Sequence, residues 1–313
     1  MTPLFVSAEE VARCLSYDAC IPLMREAMMA LSQGRTRQLL RGILDLPEGR
    51  AFGVMPGAML DDGTFGAKLV SIYPDNFDKG GRSHQGVVVL FEGATGAPSA
   101  VLEAGEITAI RTAAASAAAT DALAGRDARR LAVLGYGEQA QRHVEAIRHV
   151  RDIEEVTIWG RSPAKAEAFA ERMGARACAT AQEAAAGADI ICTVTAAPEP
   201  ILFSDWVSDG THVNAVGSGR AGPSELDEAL VARARFFADH REGVLAQGAE
   251  FQRAKAAGLI GDEHLLGEIG DVIAATIPGR RSRTDVTIYK SLGSIVQDLA
   301  AARYLVGVLG GRA

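Results

Sequence analysis

The sequence predicts an α/β protein: a doubly wound parallel sheet joined to a split α+β domain whose sheet is mainly antiparallel. Three observations carry this reading. Between Arg37 and Leu102 short strands follow one another across turn clusters, with no helix between them. After Gly125 strand and helix alternate, the pattern of a parallel sheet with crossover helices. Leu131-Ala132-Val133-Leu134 then runs into Gly135-Tyr136-Gly137-Glu138-Gln139-Ala140, a G-x-G-x-x-A turn that opens a helical run.

The elements follow in order. Ser7, with Glu10 three residues on, has the form of a capping box, and a second apolar-periodic helix spans Tyr17 to Ser32. Strands are expected at Gly42–Leu46, Ala51–Met55, Gly66–Ile72 and Gln85–Phe91, the last forming a hairpin with Pro98–Glu103 across Glu92–Gly96. Ile107 to Leu123 reads as a helix rich in small residues. The alternating half places strands at Leu131–Leu134, Glu155–Trp159, Ala175–Ala179, Asp189–Val194, Thr211–Val216 and Arg235–Ala238. Helices are expected at Ala140–Val150, Pro163–Met173 and Ala181–Gly187. In the tail, strand Thr284–Tyr289 and apolar helix Leu292–Val308 are read as returning to the first domain. The expected division is residues 1–125 with 288–313, and 126–287 between them.

Composition narrows the class. A chain of 313 residues, 48% hydrophobic, buries a sizeable core. A formal charge of −7, without basic blocks, argues against nucleic acid as a partner. Cys14, Cys20, Cys178 and Cys192 lack C-x-x-C spacing and read as reduced thiols, and the histidines show no metal-ligand spacing, so no metal is expected. The alanine run at 113–119 is too short to span a bilayer and the start has no signal-like segment, so a cytoplasmic protein without a membrane partner is expected.

The glycine turn fits a Rossmann-type dinucleotide site. Gly135 permits the turn, Gly137 lets backbone approach a pyrophosphate at a helix N-terminus, and Ala140 allows close packing. The second strand ends in Gly160-Arg161-Ser162, a cation and a hydroxyl where a 2′-hydroxyl site would carry a carboxylate. Glu154 and Glu155 lie before that strand and should face away. NADPH is therefore the favoured cofactor, with NADH as an alternative.

Gly66-Ala67-Lys68-Leu69-Val70, Ile110-Arg111-Thr112-Ala113-Ala114, Val213-Asn214-Ala215-Val216-Gly217 and Lys290-Ser291-Leu292-Gly293 appear in an order that resembles the ornithine cyclodeaminase/mu-crystallin family over almost the whole chain. The resemblance implies a homodimer, a split domain for substrate and dimerisation, and a Rossmann domain between its parts. It implies cofactor contacts from Thr112, the turn Gly135, Tyr136, Gly137, Glu138, Gln139 and Ala140, then Arg161, Ser162, Thr195, Val216, Gly217 and Ser218. It also makes Arg41, Lys68 and Arg111 a clamp for a substrate carboxylate. The chemistry agrees: a guanidinium holds a carboxylate by two parallel bonds, and an ammonium within an apolar strand needs an anion or a cavity.

Departures from the family pattern narrow the reaction. Gly53 stands where cyclodeaminases carry a Glu, and Gly219 where they carry an Asp; ketimine reductases have Ser at the latter position, and here Ser218 stands one residue earlier. Ammonia expulsion and ring closure need proton carriers of the kind carboxylates provide, whereas reducing a preformed cyclic imine needs less. His84, in the run Ser83-His84-Gln85, is a catalytic candidate or a plain loop histidine; Asp75, Asn76 and Asp298 are weaker candidates, and Met55 and Tyr73 read as pocket wall or core. The expected activity is NAD(P)H-dependent reduction of 1-pyrroline-2-carboxylate or 1-piperideine-2-carboxylate. An alanine-type dehydrogenase, a cyclodeaminase and a non-catalytic NADPH-binding protein remain as alternatives.

Overall fold

A computed structural model describes residues 2–219 and 221–310, with backbone alone at 77–79. The chain divides into two compact units, one of residues 1–111 with 294–313 and the other of 112–293.

The first unit opens with strand β1 (Leu4–Val6) and helices α1 (Ala8–Cys14) and α2 (Tyr17–Ser32). Ser7 and Glu10 form the expected reciprocal cap of α1. Strands β2 (Thr36–Gln38), β3 (Gly42–Asp45), β4 (Ala51–Met59), β5 (Thr64–Ile72), β6 (His84–Phe91) and β7 (Pro98–Glu103) follow. They form a sheet of order β1-β7-β6-β5-β4-β2, with β3 paired to β4. All its pairings are antiparallel except β1 with β7. Helix α3 (Ala104–Leu123) then crosses the division between the units. It starts earlier than its apolar run because the Glu103 carboxylate accepts from the Gly105 and Glu106 amides, capping its first turn.

In the second unit β8 (Arg130–Leu134) leads to α4 (Glu138–Arg148), β9 (Glu155–Trp159) to α5 (Pro163–Met173), and β10 (Arg176–Ala177) to α6 (Ala181–Ala185). Next come β11 (Ile190–Thr193), β12 (His212–Ala215), α7 (Glu228–Arg233), β13 (Arg235–Ala238), α8 (Arg241–Gln247) and α9 (Ala249–Ala256). Strand β14 (Leu265–Glu268), α10 (Ile269–Ile273) and β15 (Thr287–Lys290) complete the unit. The sheet is parallel throughout, in the order β10-β9-β8-β11-β12-β15-β13-β14. Strand order reverses between β8 and β11, where open α/β sheets of this kind bind ligands at the carboxyl ends.

The tail differs from its sequence reading. Strand β15 does not return to the first unit; all four of its residues are buried and it lies between β12 and β13. A strand flanked on both sides needs no alternation of polar and apolar residues, so its pattern did not reveal its neighbours. Only α11 (Ile295–Gly310) goes back, packing on α2 and on β4, β5 and β6. It starts three residues later than the apolar run because Gly293 takes a left-handed φ of 82°.

Candidate active site

In the first unit, β5 and the adjoining helices bring buried charge together. Lys68 lies on β5 opposite Met55 and Val88, only 4% exposed. Its Nζ donates to Thr108 Oγ1 at 2.6 Å and to Asp298 Oδ1 at 3.3 Å. Arg111, one helical turn beyond Thr108 on α3, donates from Nε to the same Asp298 oxygen at 3.0 Å and from Nη1 to Gln297 Oε1 at 2.8 Å. Asp298 and Gln297 are neighbours on α11 and fully buried. Among the described residues, Asp298 Oδ2 and Gln297 Nε2 have no hydrogen-bond partner. That leaves an acceptor and a donor buried beside two cations.

The electrostatics follow from this crowding. Burial lowers the Lys68 pKa to about 8, with Asp298 opposing the shift and the Arg111 and Arg41 charges adding to it. Burial would raise the Asp298 carboxyl, but Arg111 and then Lys68 outweigh it and hold it below its ordinary value. Arg41, half-buried just before β3, is near enough to depress both Lys68 and His84. His84 begins β6, and its Nδ1 lies 3.0 Å from Ser83 Oγ. Crowding by protein, then the Lys68 and Arg41 charges, lowers its pKa to about 4. Its surface is exposed, which tempers the crowding, but two nearby cations set the same direction. The imidazole is thus neutral near pH 7.

Gly53, the first departure from the cyclodeaminase pattern, pairs with Ile43 and Val70. A Cβ there would stand 3.0 Å from Val70 Cγ1, so a side chain at this position needs the Val70 side chain to shift by a few tenths of an ångström.

In the second unit the glycine turn has the form that a dinucleotide requires. Gly135 has a φ of 141°, and a Cβ on it would meet Val194 Cγ2 at 2.8 Å; glycine alone fits there. Its amide donates to Trp159 O at 2.8 Å, tying the turn to the end of β9. Gly137 is the N-cap of α4, no side chain caps that first turn, and Ala140 is fully buried. Gln139 Oε1 is buried without a partner among the described residues. The Tyr136 ring lies against Gly160, where any Cβ would stand 2.1 Å from Tyr136 Cδ1. Arg161 is exposed, and Ser162, the N-cap of α5, makes no side-chain cap bond. Glu154 pairs with Arg129 and Glu155 with Arg176, away from the carboxyl end of β9. Thr112 is buried on α3.

The loops after β11 and β12 contain groups that sequence reasoning missed. Glu225 accepts from the Thr195 amide and hydroxyl, both at 2.7 Å, and from the Gly217 amide at 2.8 Å. Val216 and Gly217 also donate their amides to Thr193 O. Ser218 gives its hydroxyl proton to Glu250 at 2.5 Å and accepts from Lys290 at 2.8 Å. Its hydroxyl is therefore committed within the protein. Glu225 lies in a loop, where no period marks a buried carboxylate, and Glu250 is a single acidic residue in the first turn of the short helix α9. Lys290, at the end of an apolar strand, carried the same signal as Lys68.

A family model for the ornithine cyclodeaminase/mu-crystallin family matches residues 1–309. The chain belongs to this family. It is 38% identical over 308 residues to the ketimine reductase mu-crystallin of Mus musculus, covering 96% of each chain. Its fold superposes on the Thermococcus litoralis Delta(1)-pyrroline-2-carboxylate reductase in complex with NADH and L-proline, with a TM-score of 0.95, 30% identity, and 99% and 98% of the two chains covered. An archaeal alanine dehydrogenase dimer with bound NAD matches with a TM-score of 0.92 and 31% identity, covering 100% of this chain and 98% of that one.

Proposed function

We propose that this protein is a nicotinamide-dependent reductase of cyclic ketimine carboxylates, converting 1-pyrroline-2-carboxylate or 1-piperideine-2-carboxylate to the corresponding cyclic amino acid. The observation that carries the reading is the buried Lys68–Arg111–Asp298 cluster with Arg41 beside it. It holds more positive than negative charge, so an added carboxylate is electrostatically favoured there. The ketimine reductase and pyrroline-carboxylate reductase activities of the relatives fit that chemistry.

Arg111 and Arg41 grip the substrate carboxylate and fix the plane of the ring. Lys68, still largely protonated at pH 7 with a pKa of about 8, holds a proton at the imine nitrogen and restores it from water after turnover. Asp298 keeps Lys68 charged and oriented. A bound reduced nicotinamide dinucleotide supplies the hydride. As the imine carbon gains it, the C=N π pair moves to nitrogen, which keeps its proton as a secondary amine. No ammonia leaves and no ring closes, in keeping with glycine at positions 53 and 219.

The preferred donor is NADPH. An exposed Arg161 and an uncommitted Ser162 hydroxyl at the end of β9 suit a 2′-phosphate, and NADH serves less well. The active form is a homodimer. Leu39, Ile43, Leu44 and Val54, on and beside β3, leave apolar surface for a second copy. The archaeal relative is itself a dimer.

Product analysis tests the reaction. With NADPH and either imine, proline or pipecolate should accumulate, one dinucleotide oxidised per product. Alanine formed from pyruvate and ammonia, without reduction of either imine, would instead support the dehydrogenase reading.

A further inference from the structure

A second buried charge cluster lies wholly within the second unit. Lys290 closes β15 in register with Ala215, the last residue of β12. Its Nζ reaches Ser218 O at 2.7 Å, Ser218 Oγ at 2.8 Å and Glu250 Oε2 at 2.8 Å, and both charged side chains have no exposed surface. Glu250 also accepts from the Glu225 amide at 3.3 Å, and the Glu225 carboxylate holds Thr195 and Gly217. One chain of bonds thus joins β15 and α9 to the loops after β11 and β12. Burial would raise the Glu250 carboxyl, but Lys290 outweighs it and keeps it ionised.

A buried ion pair is a poor way to stabilise a fold, since apolar residues of similar volume often do as well or better. Its value here is in fixing one geometry. By the dinucleotide-binding pattern, the turn after β8 would take the pyrophosphate, and the end of β9, with Arg161, the adenosine side. The other half of a dinucleotide must extend across the switch point, toward the carboxyl ends of β11 and β12. There Gly217 is exposed, and a Cβ on it would stand 2.1 Å from Thr195 O, so this surface is bare backbone.

We propose that Lys290 and Glu250 are positioning residues that lock the Gly217–Ser218 backbone as the platform for the nicotinamide ring. The pair governs hydride geometry more than dinucleotide affinity. This rests on the nicotinamide-dependent reading above.

The test is the Lys290→Met/Glu250→Gln double variant, which removes both charges and leaves neither one unpaired. NADPH is titrated while the emission of its reduced nicotinamide is followed. Binding should stay within about threefold of wild type, because the pyrophosphate turn is untouched. The emission of bound nicotinamide should revert toward that of free cofactor, and kcat on the imine should fall at least about tenfold. Glu250→Gln alone keeps one acceptor oxygen, for Ser218, and sets an amide nitrogen beside Lys290, so it loosens the same anchor with the lysine in place and should show the same split, which covers the case of a double variant that does not fold. Wild-type emission and kcat in a folded variant would overturn the proposal, as would affinity falling in step with kcat. Wild-type protein that shifts nicotinamide emission without reducing either imine would discard the substrate reading and leave emission to decide the positioning role. Failure to bind either dinucleotide would overturn both.

Discussion

At the scale of single residues, the proposed chemistry turns on Lys68 and Asp298. With its pKa lowered to about 8, Lys68 loses its proton well below the ordinary range of lysine. Turnover of the imine should therefore decline as pH rises through about 8. Asp298 opposes that shift, so Asp298→Asn should move the alkaline limb to lower pH. A profile flat to pH 9.5 in wild type, or a limb unmoved in the variant, would remove Lys68 from the proton path. Arg161→Ala should weaken NADPH binding by about tenfold and leave NADH within about twofold, as loss of one charge-assisted phosphate contact implies. Equal losses for the two dinucleotides would show that Arg161 does not read the phosphate. Lys68 was legible in the sequence because a cation within an apolar strand demands an anion. Its partner was less so, since Asp298 is one polar residue in an apolar helix and only the fold brings it to β5.

At the scale of elements, helix α4 is tied to α3 through His143. Its Nδ1 is 2.7 Å from Gln139 O and its Nε2 2.9 Å from Ser116 Oγ, an arrangement that suits a neutral ring with Nδ1 protonated. Burial lowers its pKa from 6.5 to about 4, and that of His212 to about 3. The unfolded chain takes up these protons below pH 6.5 while the folded chain does not, so stability is full above that pH and falls as pH drops toward 4. For His143 alone the loss at pH 5 is about 2 kcal/mol. Urea unfolding at pH 7 and pH 5 measures it; equal stabilities would mean that the ring protonates without disturbing the helix contact. Elements with a local signature were readable, such as the glycine turn and the hairpin of β6 and β7. Strands β1, β2 and β14 were not, because strands of three or four residues draw their stability from neighbours remote in sequence.

For the whole molecule, the proposed homodimer would cover the apolar surface around β3. Sedimentation should give about twice the 32.8 kDa chain mass, and Leu44→Glu should shift it toward the monomer. A wild-type monomer at micromolar concentration would contradict the assembly. The doubly wound half was legible because its buried strands alternate with helices, whereas the return of α11 without β15 is a property of topology alone. Selection of an imine by its carboxylate, through buried cations, is the step on which the proposed function turns. It is tested most directly by comparing NADPH oxidation with 1-pyrroline-2-carboxylate and with 1-pyrroline, which has the same ring and no carboxylate. The expected result is turnover of the first with kcat/KM at least about a hundredfold higher, the size of a lost buried charge-assisted pair. Equal rates on the two imines, or none on the carboxylate, would contradict it.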